Sequence, residues 1–146
     1  MRAFYVPEFG APGVVGELPK PGPGEGQILV RVKAVGINAM DPFLGSGAYK
    51  DYMEHRLPLV VGSDYAGTVV ALGPGVDNVA VGDEVFGDLG KAYVGEGALA
   101  EFVAASAALA TRRPDNVSPE TAAALPRAGG TALAEVDAAA IGNGDV

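Results

Sequence analysis

Apolar residues recur along this chain in short runs, each closed by Gly, Pro or a polar cluster. The sharpest run is Gln27–Val35. Ile28, Val30, Val32 and Ala34 fall on one side of an extended backbone, and Arg31 and Lys33 fall on the other. That alternation predicts a strand whose even-numbered face lies in the core. Met1–Val6 and Val14–Leu18 read as two earlier strands joined by the Gly10-Ala11-Pro12-Gly13 turn, and Lys20–Gly26 is a Pro-stiffened connector. Further strands are expected at Ala66–Leu72, Glu84–Phe86, Leu99–Ala104 and Leu109–Thr111. After Gly36 the period changes. Asn38 can cap a short helix, Ala39–Leu44, that Gly45 would end, and the charged, aromatic stretch Lys50–Arg56 reads as an exposed loop or one helical turn.

Composition shifts at Ser118. Ser118-Pro119-Glu120 combines an N-cap, a proline at the first helical position and an acid in the first turn. This helix should continue through Ala122–Leu125 until Pro126 breaks or kinks it. A second helix is expected over Ala132–Ala140, ending at Gly142, and Gly144-Asp145-Val146 look like the start of another strand. Short strands with Gly-rich turns predict a mainly β, compact barrel over residues 1–117, followed by a helical segment over 118–146.

With 146 residues and 49% apolar composition, the chain can form one domain with a substantial core. Its 22 Gly and 11 Pro punctuate the apolar runs instead of clustering, so an ordered chain is expected. The net charge of −8 leaves no basic stripe, which argues against nucleic acid or anionic membrane as partners. No apolar run reaches the roughly 18 residues of a membrane span. The opening MRAFYV is not a charged-then-apolar targeting segment, and the cytoplasm is the expected compartment. Zero Cys rules out disulfides. Together with a single His, His55 in a charged surface segment, it leaves too few soft ligands for a conventional zinc site.

The candidate chemistry centres on LVVGSDYAGTVVALGPGV, Leu59–Val76, a buried turn feeding a strand, with Ser63 and Asp64 as its strongly polar side chains. Gly95-Glu96-Gly97-Ala98-Leu99-Ala100 fits a dinucleotide fingerprint by letter. Strand-like Glu101-Phe102-Val103 follows it where a helix is required, so no such site is assigned.

Gly62, Gly67, Gly73 and Val76 fit the zinc-alcohol-dehydrogenase signature of the medium-chain dehydrogenase/reductase family, with Ser63-Asp64 in place of its His-Glu pair. MRAFYV, PGPGEGQILVRVKAVGIN, Val81–Gly87, Leu125-Pro126 and Gly130-Thr131-Ala132 occur in the family's order. The chain therefore resembles the N-terminal, GroES-like catalytic domain of a zinc-independent quinone-oxidoreductase-like reductase. The resemblance implies a partly open barrel with short helices and a helical C-terminal tail. It also implies a Rossmann nucleotide-binding domain after the last residue, without which the chain should be inactive.

Zinc-binding relatives place their ligands at the positions of Asn38, Ser63 and, less sharply, Arg127. None of these three is a zinc ligand, which disfavours alcohol oxidation through a metal alkoxide. The implied chemistry is hydride transfer from NADPH to a quinone or enone, with no zinc. The protein would orient the reactants and hydrogen-bond the developing oxyanion. By resemblance Asn38, Tyr49 and Tyr52 are the catalytic candidates, Asn38 and Thr131 would meet the nicotinamide, and Ser63 would line the substrate site. Asn38 and Thr131 can equally cap helices, the two tyrosines can simply pack a loop, and Asp41 is expected to hold structure by hydrogen bonds. A homodimer is the implied assembly of the full-length protein. The competing reading is a non-catalytic GroES-like module that binds or scaffolds a partner.

Overall fold

The computed structural model describes residues 1–140; the expected helix end at Gly142 and the strand start at Gly144–Val146 lie outside them. The strands are β1 Arg2–Tyr5, β2 Val14–Glu17, β3 Gln27–Gly36, β4 Glu54–Val60, β5 Asp64–Leu72, β6 Glu84–Asp88, β7 Tyr93–Glu96, β8 Phe102–Ser106 and β9 Ala110–Arg112. The helices are α1 Met40–Ser46, α2 Pro119–Ala123 and α3 Pro126–Ala138. A five-stranded antiparallel sheet in the order β8-β3-β5-β6-β9 forms the body. The β1–β2 hairpin and a parallel β4–β7 pair complete it. The fold is mainly β and GroES-like, and its sheets do not close into a barrel. No helix among the described residues is long and apolar enough to cross a membrane.

The alternation in β3 holds for its first half. Ile28 and Val30 are fully buried in the main core with Tyr65, Val69, Val85 and Val103, and Val32 packs beside them. Between Val32 and Ala34 the register against β5 shifts, and the face inverts. Val35 then packs on the main core, while Ala34 meets a separate cluster of Ala66, Ala122 and Ala123 under α2.

Several expectations need correction. The stretch from Lys50 is turn only to Met53, and β4 begins at Glu54; neither β4 nor β7 was expected. Asn38 does not cap α1. The N-cap is Ala39, without a side-chain bond, and Gly45 lies buried inside the helix. Gly47, at φ +80°, ends α1 by sending its N–H to the Leu44 carbonyl. Finally, α2 already ends at Ala123, before Pro126, and the second helix begins at Pro126 instead of Ala132, with the proline at its first position, where a missing N–H is free of cost. Thr131 is consequently inside α3 and cannot be a cap. The Ser118 cap is as expected, its hydroxyl accepting the Thr121 N–H at 3.2 Å.

One surface network makes stability depend on pH. Glu84 accepts Lys33 Nζ at 2.8 Å, Thr68 Oγ1 at 2.6 Å and Arg113 Nη2 at 3.3 Å, tying β3, β5 and the segment after β9 to β6. The Lys33 and Thr68 bonds hold its carboxyl at about 2, well below the ordinary 4.5. A folded pKa below the unfolded one adds stability that is complete above the ordinary value and lost as pH falls toward the folded one. Denaturant midpoints should therefore drop between about pH 4.5 and about pH 2. Glu84→Gln should shrink that drop while starting from lower stability at neutral pH. Equal acid sensitivity of both proteins would show that Glu84 is not responsible.

Candidate functional site

A cavity of about 180 Å³ opens where several segments converge. Among them are the loop after β3 carrying Asn38, helix α1, the end of β4 with the Gly62-Ser63 turn, the end of β6, the stretch Lys91–Gly97, and the first turn of α3 with Arg127. Two buried carboxylates bond residues of its lining. Asp41, 5% exposed, accepts the Asn38 N–H at 2.7 Å and the Gly62 N–H at 3.1 Å, the structural role expected for it. This joins the start of α1 to the turn before β5.

Asp64 is 1% exposed at the first position of β5. Its Oδ2 accepts Asn38 Nδ2 at 3.1 Å and the Arg127 backbone N–H at 3.3 Å. Burial pushes the Asp64 carboxyl above its ordinary value, and the Asn38 and Arg127 bonds oppose that rise. Across the β5–β6 ladder Asp64 faces Asp88, whose Oδ2 accepts Arg127 Nη2 at 2.6 Å. Also in the lining, Lys91, with a side chain 6% exposed, donates to Glu96 at 2.5 Å. Tyr93 donates to the same Glu96 oxygen at 2.7 Å, and its phenol is pushed up to about 12, chiefly by burial and then by that carboxylate. Both cations on the cavity wall are thus paired with carboxylates.

Of the five side chains expected at the site, Asn38 and Ser63 line this cavity. Tyr49 is half-buried beyond it, against the cluster of Val6, Leu44, Leu59 and Val61, and meets Tyr52 edge-on at 6.4 Å. Tyr52 is 83% exposed. Thr131 is exposed on α3, one turn beyond Arg127. Asp88, Lys91, Tyr93 and Glu96 were missed. Their only sequence signal was a polar stretch between apolar runs, which does not reveal convergence.

Asn38, Ser63 and Arg127, at the three positions matched to zinc ligands in relatives, all face the same cavity. Among the described residues no group of three or more His, Cys, Asp or Glu side chains is placed to hold a metal ion.

The family model of the alcohol dehydrogenase GroES-like domain matches residues 24–115. Quinone-oxidoreductase QR1, chloroplastic, of Triphysaria versicolor is 37% identical over 136 residues, covering 90% of this chain and 40% of that protein. The chain belongs to the quinone-oxidoreductase-like medium-chain dehydrogenases/reductases. Among solved structures, an alcohol dehydrogenase superfamily protein from Novosphingobium aromaticivorans superposes with TM-score 0.86 at 38% identity, over 99% of this chain and 44% of that one. Escherichia coli quinone oxidoreductase complexed with NADPH superposes with TM-score 0.81 at 29% identity, over 93% and 40%. The chain spans about two fifths of the length of these relatives.

Proposed function

We propose that this domain is the acceptor side of an NADPH-dependent, zinc-independent oxidoreductase that transfers hydride to a quinone or an enone, and that it is inactive alone. The observation carrying this reading is the shared cavity of Asn38, Ser63 and Arg127. An amide, a hydroxyl and a guanidinium bind zinc poorly, and here the Asn38 amide and the Arg127 N–H are already committed to Asp64. What Asn38 and Ser63 add to the lining, beside ion pairs that are already satisfied, is neutral hydrogen-bonding groups suited to a carboxamide or a carbonyl oxygen.

The nicotinamide end of NADPH fits that wall, since Asn38 retains a second N–H and its carbonyl oxygen. The phosphate end does not, because Arg127 and Lys91 are neutralised by Asp88 and Glu96. This supports the reading that tight cofactor binding needs a separate nucleotide-binding domain. When bound, NADPH supplies the hydride. Asn38 and Ser63 would hold the acceptor oxygen and stabilise its charge as the carbon is reduced. Tyr49, Tyr52 and Thr131 lie outside the cavity, and their proposed roles belong to a cleft closed by a second domain over α1 and α3. A homodimeric full-length protein and a cytoplasmic location complete the reading; fractionation with an organelle, as the chloroplastic relative suggests, would revise the location.

A chimera tests the reaction. This chain would replace the matching part of the Escherichia coli quinone oxidoreductase. NADPH consumption on adding a quinone or enone is the expected result. A folded, NADPH-binding chimera that reduces neither would leave the domain as a non-catalytic module.

A further inference from the structure

We propose that Asp64 is the positioning residue of this cavity, one buried carboxylate oxygen fixing both the Asn38 amide and the first turn of α3. The proposal rests on the reading of Asn38 as a group that meets the acceptor or the nicotinamide. Its basis is the geometry around Oδ2, where Asn38 Nδ2 arrives from the loop after β3 and the Arg127 N–H arrives from α3.

Helix α3 needs such an anchor. It runs 13 residues, has no side-chain cap of its own at Leu125, and buries none of its residues. Arg127 is its second residue, so its N–H has no intrahelical acceptor. Asp64 does from a neighbouring strand what an N-cap does locally, and its charge suits the positive end of the helix. The Arg127–Asp88 ion pair is the helix's second tie to the sheet.

The same oxygen decides what Asn38 shows to the cavity. An ionised carboxylate only accepts hydrogen bonds, so the amide must turn its Nδ2 toward Asp64. The Asn38 carbonyl oxygen and one remaining N–H are then the groups left for a ligand. Orientation of the cavity amide and attachment of α3 are therefore set together, and displacing α3 loosens Asn38.

The test uses ¹⁵N-labelled chain and needs no turnover, so its failure is separable from failure of the hydride-transfer reading. In the unmodified chain the Arg127 amide should exchange slowly with solvent despite lacking a helical partner. Free exchange there would overturn the proposal even if no variant folds. Asp64→Ala should speed Arg127 exchange by about tenfold or more and shift the Asn38 side-chain NH₂ signals in the same sample. Asp64→Asn keeps an acceptor oxygen at that place and should restore both signals toward those of the unmodified chain. Asn38→Ala should leave Arg127 protected. An Asp64→Ala chain that changes only one reporter, or an Asp64→Asn chain that restores neither, would refute the shared anchor.

Discussion

Gly67→Ala should destabilise the domain by about 3 kcal/mol or more, a large share of the stability a domain of this size has. Gly67 lies in the middle of the five-stranded sheet, paired with Val32 on β3 and Val85 on β6. A Cβ there would sit 2.2 Å from the Arg31 carbonyl oxygen and 2.8 Å from Val30 Cγ1. The first of these is backbone of a strand held on both sides, by β5 and by β8. Relieving the clash means breaking ladder hydrogen bonds, not turning a rotamer. Gly22→Ala is the matched control, because its added methyl meets nothing within 4 Å, and its effect should stay within about 0.5 kcal/mol. Denaturant unfolding followed by circular dichroism separates the two. Coincident curves for Gly67→Ala and the unmodified chain would show that the sheet yields where the packing says it cannot.

The second large effect is on activity. Asn38→Ala in the chimera should lower kcat/KM for a quinone by about five- to 150-fold, corresponding to about 1–3 kcal/mol of lost transition-state stabilisation. The stability cost should be about 1–2 kcal/mol, because a buried carboxylate loses one of its two donors. A capping role alone would have implied about 1 kcal/mol at most. Unchanged kcat/KM in a folded variant would reduce Asn38 to a wall residue that supports Asp64.

Much of the fold was written in local patterns. The alternation of β3, the apolar run of β5 and the Ser118-Pro119-Glu120 start of α2 each carry their own signal, and each forms where expected. What stayed hidden depended on distant partners. β4 reads EHRLPLV, with charges and a proline, and pairs in parallel with the short β7, where Arg56 lies over the Tyr93 ring at 3.5 Å. Neither strand alternates clearly, because neither has one wet and one buried face. Gly45 looked like a helix end, yet its lack of a side chain lets Val6 pack close, and the stop moves to Gly47.

The site divides in the same way. Asn38 and Ser63 were found by their match to a family pattern. The union of Asp64, Asp88 and Arg127 depends on the β5–β6 register and on where α3 begins, and neither is legible in one dimension.

The most direct measurement follows the hydride itself. The chimera would reduce an enone with NADPH deuterated at the transferable position of its nicotinamide ring, with and without a strong zinc chelator. Deuterium bonded to the β-carbon of the product, at a rate the chelator leaves unchanged, is the expected result. Product without deuterium, or turnover abolished by the chelator and restored by zinc, would contradict metal-free hydride transfer at this cavity.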